Sequence, residues 1–401
     1  MLLSLALTLS APLAHACPTI ATGTTSPLSF ETAQVAIVRQ GNSTTFSVSI
    51  NPLGEGQGFA LVLPVPELLE ESQIRTLDPL VFATLDAYSG ARHVADAGCP
   101  TFQWPSLGND YNLSSAPDDG GGVTVEAEYL VGEYQITILS SEESTALGTW
   151  LDENGYYLPP GAEPRLAEYI DAGSFFLAAK VADAAAVADG TPLSPLQIQY
   201  DSDVFAIPLR LATLNSPGEQ EMVIYAINDT ADGRAGISNY PEFDVTSQCI
   251  WGDPAVDDFE TFYEDRFRTF WAEQDDAAWT VEYAGTWGDC NPCSNVSIDE
   301  THLAALGFVG GPQQHFLTRI HARYTPEQAD EDLTLYHSQI TEPKVTSFAD
   351  DTKLNHKCID TCEELDSGKS CSCGGNGGPA GLLALAVGVV AIVGRRRDPR
   401  G

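Results

Sequence analysis

The chain has 401 residues, a formal net charge of −37 at pH 7 and a pI near 4.2. So acidic a balance leaves no basic footprint for phosphate and excludes nucleic acid as a partner. The length suits one large domain, or two lobes with a break near residue 240, around a real core.

Met1 to Ala16 is apolar and closes on Ala14-His15-Ala16, the small-x-small pattern of signal-peptide cleavage. The mature chain is expected to begin at Cys17, outside the cytoplasm. Gln34 to Arg39 and Thr44 to Ile50 alternate around Gln40-Gly41-Asn42-Ser43 and predict a hairpin. Phe59 to Leu63 predicts a third strand, stopped by Pro64-Val65-Pro66, and Asp78 to Asp86 a short helix. Pro117 to Gly122 reads as a loop before Val123 to Leu139, a long strand or hairpin. Ser140-Ser141-Glu142-Glu143 has the form of a capping box, opening a helix through Leu147, Trp150 and Leu151 to Gly155. A second helix is expected from Glu163-Pro164 to Gly173. Strands follow at Phe175 to Val181, Leu196 to Tyr200, Val204 to Leu211 and Glu221 to Ile227. Val256 to Gln274 spaces Phe259, Phe262, Tyr263, Phe267, Phe270 and Trp271 by three to four, an amphipathic helix with an aromatic core face. The fold class is therefore α+β, mainly antiparallel sheet with a few inserted helices.

Nine cysteines in an exported chain argue for disulfides. Cys17, Cys99, Cys249, Cys290, Cys293, Cys358 and Cys362 are the candidates, of open connectivity, and the odd count leaves Cys371 or Cys373 for anchoring or processing. Cys290-Asn291-Pro292-Cys293 also has the spacing of a thiol oxidoreductase or half a zinc site, but Pro292 and Ser294-Asn295-Val296-Ser297 place it in a loop, which favours a structural bridge. His315, Leu317, Arg319, His321 and Arg323 share one face if this segment is a strand. Either nearby carboxylates pair with this cationic stripe, or it binds an anion or partner. Asp201-x-Asp203 and Asp229-x-x-Asp232-Gly233 do not complete a calcium loop. No metal site is assigned; Ca²⁺ or a cationic partner stands as the alternative to a solvated acidic surface. Neither a nucleophile elbow, a zinc-protease helix, a phosphate loop nor a kinase motif occurs, so no catalytic residue or cofactor is assigned.

Pro379 to Gly394 has no polar side chain, and Arg395-Arg396-Arg397 follow as a stop to translocation. At ~1.5 Å per residue the run covers roughly 24 Å, a marginal span of a ~30 Å bilayer core but an adequate stop. Cys371-Ser372-Cys373-Gly374-Gly375, the apolar run and the arginines together resemble the myxobacterial C-terminal sorting tail, MYXO-CTERM. That resemblance implies processing or lipid attachment at Cys371 or Cys373 and transfer to the cell surface. Thr341 to Ser370 reads as a polar stalk.

In the body, Gln34 to Arg39, Phe59 to Pro66, Leu80-Val81-Phe82 with Leu85-Asp86, and Val131-Gly132-Glu133-Tyr134 running into Trp150 to Tyr156 form one series of motifs. Phe175 to Val181, Cys290 to Cys293 and Phe316 to Tyr324 complete it. In this order they resemble the bacterial family known as domain of unknown function 2330, over roughly Cys17 to Ser338. The resemblance implies export and transfers no catalytic residue. The expected protein is a non-enzymatic ectodomain at the envelope, whose partners are the membrane through its tail, the sorting machinery and a surface partner. The alternative is an exported enzyme, either a thiol oxidoreductase through Cys290 and Cys293 or a hydrolase.

Overall fold

A computed structural model describes residues 20–22, 29–30, 33–49, 52–53, 60–94, 123–156, 158–181, 193–215, 218–245, 248–250, 259–274, 277–289 and 293–350. The two main sheets are built, in chain order, from β1 (Ile20–Thr22), β2 (Ala33–Gln40), β3 (Ser43–Ser49), β4 (Ala60–Val65), β5 (Ile74–Thr76), β6 (Val123–Val131), β7 (Tyr134–Ser141), β8 (Phe175–Val181), β9 (Leu196–Asp201), β10 (Gln220–Asp229), β11 (Ala278–Gly285), β12 (His315–Tyr324) and β13 (Lys344–Val345). The helices are α1 (Leu80–Ser89), α2 (Ser144–Glu153), α3 (Ala162–Asp171), α4 (Phe259–Trp271) and α5 (Glu300–Ala305).

The eight-stranded sheet has the order β13-β11-β12-β10-β2-β3-β9-β5, and the five-stranded sheet β1-β4-β8-β7-β6. Pairing is antiparallel throughout both, except that β10 and β2 run parallel. The sheets pack face to face: Val35, Ile37, Ile224 and Ile320 of one share a core with Leu61, Leu63, Ile136 and Leu177 of the other. The opposite faces are covered by helices. Ala36, Val38, Tyr225 and Leu317 meet Val81, Phe82 and Leu85 of α1 and Leu303 of α5, whereas Val62, Phe176 and Ala178 meet Leu147 and Leu151 of α2 and Leu166 of α3. Strands buried on both faces read as continuous apolar runs rather than alternating ones, which is why Val35 to Val38 and Leu61 to Leu63 carry no polar residue. The result is an α+β, mainly antiparallel sandwich with a helical layer on each side.

The β2–β3 hairpin turns at Gly41, whose φ of 61° suits a residue without Cβ. Three local expectations change. Pro64 does not end its strand: β4 continues through Val65, and Pro64 pairs with Phe176 beyond the reach of β1. The capping box does not form, because Ser140 and Ser141 remain in β7 and α2 opens after Glu143 with no side-chain cap. Between Val204 and Leu211 only Ala206–Ile207 is strand; Pro208 follows, and the amides of Leu209 and Arg210 turn to Asp332 Oδ1.

Within the segment read as a stalk, β13 joins the large sheet and Ser347–Asp350 forms a strand beside Gln248–Ile250 and Arg92–Val94, with Phe348 fully buried. The large sheet draws strands from both sides of residue 240. The signal segment, the Pro117–Gly122 loop, residues 351–370 and the tail with Cys371, Cys373 and the 379–394 run lie outside the described residues. No helix among the described residues is long and apolar enough to cross a membrane.

Candidate functional site: a buried charge cluster beneath α4

Strand β12 sends Phe316, Ile320, Ala322 and Tyr324 into the inter-sheet core, leaving His315, Leu317, Arg319, His321 and Arg323 on the outer face. All of them are buried, because α1 and α4 cover that face.

Their central partner is Glu282 of β11, 1% exposed at its side chain. The β11–β12 register shifts between Val281 and Tyr283, a β-bulge with Glu282 as the extra residue. Val281 and Ala284 thus stay in the inter-sheet core while Glu282 and Tyr283 both face outward. Glu282 Oε2 accepts from Arg319 Nε at 2.5 Å; Oε1 accepts from Tyr263 Oη of α4 at 2.6 Å and lies 2.8 Å from His321 Nδ1. Burial alone would raise this carboxyl, but Arg319 above all, then His321 and Tyr263, hold it far below the usual carboxylate range.

Arg319 reaches further, to Asp86 Oδ1 of α1 at 2.7 Å and to Tyr225 Oη at 3.1 Å. Burial acts against the guanidinium, yet Tyr225, Glu282 and Asp86 raise it well above its ordinary value. Arg323 Nη2 pairs with Glu221 of β10 and with both Glu264 oxygens of α4 at 2.7 Å. Its guanidinium lies 4.8 Å from the Phe267 ring centre and 5.6 Å from that of Trp271, and burial draws its pKa down to about 10. Phe267 also stacks on His321, with ring centres 3.9 Å apart, and Trp271 Nε1 donates to Arg323 O at 3.0 Å. Arg268 ties α4 to Glu219 at 2.7 Å. The aromatic face of α4 thus packs into a core as the spacing predicts, and it also caps the charges.

The geometry holds Arg319, His321 and Arg323 in mutual pairing with carboxylates, the first of the two readings of the stripe. His315 stands apart at the strand's start: it is 1% exposed, Phe308 packs edge-on against it, and burial lowers its pKa against a backbone hydrogen bond at Pro312. Glu282 is not among the residues singled out from the sequence, although a lone acid inside the apolar run Ala278–Gly285 is a usable signal. Of the disulfide candidates, Cys249 (in Gln248–Ile250) and Cys293 are described; Cys17, Cys99, Cys290, Cys358 and Cys362 are not. Asp201 and Asp203 flank a turn in which Asp203 accepts from Asn42 at 2.7 Å, while Asp229 accepts from Gln40 at 3.0 Å and Asp232 lies 3.7 Å from His337. Among the described residues no group of three or more His, Cys, Asp or Glu side chains could hold a metal ion.

Neither a curated protein nor a solved structure matches the chain. A family described as "Uncharacterized protein conserved in bacteria (DUF2330)" matches residues 11–336. These residues are most of the sequence and contain both main sheets up to β12 together with the whole charge cluster, and the chain belongs to that family.

Proposed function

We propose that this chain is an exported envelope protein whose body is a non-catalytic ectodomain, held at the cell surface by its C-terminal segment and acting by binding or as a scaffold. The observation that carries the reading is the commitment of the cluster to itself. Glu282 engages three neighbours, Arg319 bridges two carboxylates, and α4 lies over the set. Buried ions paired in this way supply specificity of packing rather than a reactive group. The signal-like start, the MYXO-CTERM-like tail and the cysteine content support export to an oxidising compartment. The intact mass of protein released from the cell surface tests this. Cleavage after Ala16, loss of Arg395–Arg397 and bridged body cysteines would support it; a cytoplasmic chain with free thiols would reject it. Retention of Arg395–Arg397 on exported protein would replace the processed tail by a plain single-span anchor.

One observation favours a second reading, a hydrolase. The Glu282–His321 contact of 2.8 Å is the pairing that orients a general base. His321 is only 8% exposed and stacked on Phe267, so that chemistry requires α4 to lift. Turnover of an ester, peptide or glycoside panel that disappears in H321Q, with the fold intact, would establish this reading in place of the first.

A further inference from the structure

Beneath α4 three neighbouring side chains carry polar atoms with no hydrogen-bond partner: Thr280 Oγ1, His321 Nε2, and Nε and Nη1 of Arg323. Their residues are 1%, 8% and 1% exposed. The β11–β12 register sets Thr280 directly across from His321, and Arg323 lies two residues further along the same face. Across the other strand boundary, Glu221 of β10 stands opposite Arg323, and its Oε2 is 3.7 Å from His321 Nε2, too far for a hydrogen bond. Phe267 and Trp271 close the patch from above.

Unsatisfied polar atoms gathered at one buried spot call for a ligand that matches their donors and acceptors. Arg323 can only donate. His321 Nδ1 is directed at Glu282, which leaves Nε2 for a further partner, and the Glu221 carboxylate accepts. The Thr280 hydroxyl can do either. A cation is opposed by the guanidinium. An anion is opposed by Glu221 and Glu264, both already paired with Arg323. One water accepting from one Arg323 nitrogen and from Thr280, and meeting His321 Nε2 and Glu221, stays within the two to four partners that a buried water needs.

We propose that β10, β11, β12 and α4 enclose an ordered internal water at this point, held by Thr280, His321, Arg323 and Glu221. It joins three adjacent strands in one row and gives Thr280, His321 and one of the two orphaned nitrogens of Arg323 a partner. Two measurements test it. A high-resolution crystal structure of the whole exported body should show a density peak within hydrogen-bond reach of these four side chains. T280V, which keeps the shape of threonine and removes its hydroxyl, should lower Tm by about 2–4 °C while T280S stays near wild type. An empty site, or a T280V Tm equal to or above wild type, overturns the proposal. A halide anomalous peak, or a Tm that rises with chloride but not with gluconate at equal ionic strength, overturns it in favour of an anion. If T280V does not fold, the density decides.

Discussion

Replacing Glu282 by Gln is the sharpest perturbation of this fold. The amide keeps one oxygen, which can still accept from Tyr263 and His321, now at 2.6 and 2.8 Å. The other atom becomes an NH₂ group aimed at Arg319 Nε–H, so a 2.5 Å ion pair turns into a donor–donor contact. Arg319, itself only 9% exposed at its side chain, is left with Tyr225 and with Asp86, whose carboxylate is half in solvent. Breaking one side of a buried ion pair costs about 3–5 kcal/mol. Against a total stability of about 5–15 kcal/mol, that is a large share. Urea unfolding followed by tryptophan fluorescence reads it, since Trp271 is buried against the cluster and Trp279 in the inter-sheet core. The double variant E282L/R319M, which removes both ions, should be more stable than E282L alone. A loss below about 1 kcal/mol for E282Q with an unchanged denaturant slope would refute the reasoning, because the cluster would then be screened by solvent.

Other expectations follow from the same coordinates. W271F removes the indole donor from the buried Arg323 carbonyl and should cost about 1–3 kcal/mol, with earlier proteolytic cutting at α4. Gly233→Ala should cost at least about 1–2 kcal/mol in thermal unfolding: φ is +68° and an added Cβ would lie 2.5 Å from the carbonyl oxygen of Ile340. At high pH, burial raises Tyr225, Tyr263 and Tyr283 above their ordinary value of 10.0. A raised folded pKa gives stability that is complete below pH 10 and lost as pH climbs past it. Arg323, lowered to about 10, acts in the opposite sense, as do Arg39, Arg75 and Lys180, while Tyr129, Tyr156, Tyr169 and Tyr200 act with the three tyrosines. The expected result is a fraction of tyrosines that ionises only together with unfolding; complete tyrosinate formation at pH 10 in folded protein would contradict it.

Much of the cluster is written in local pattern, and its closure is not. Alternation in His315–Tyr324 is enough to place Arg319, His321 and Arg323 on one face, and three-to-four spacing is enough to make Phe259–Trp271 a helix with an aromatic side. Both signals are periodic, so each can be read within a dozen residues. The partners are not periodic neighbours. Glu282 lies 37 residues from Arg319 and Asp86 lies 233 away, and the bulge that turns Glu282 outward arises from a register that only the paired strands define. Pro64 and Ser140-Ser141 show the same limit: each carries a strong local signal, and sheet pairing overrides it.

By itself the sequence determined the acidic balance, the α+β class with its hairpins and helices, the cationic stripe and the family to which the chain belongs. Apolar periodicity and composition survive in any window of the chain, so these are legible without coordinates. Only the tertiary structure decided that the stripe is a closed network rather than an open face. That outcome depends on α4 and α1 being brought over β12 from elsewhere in the chain, and a charge is exposed or paired according to what covers it.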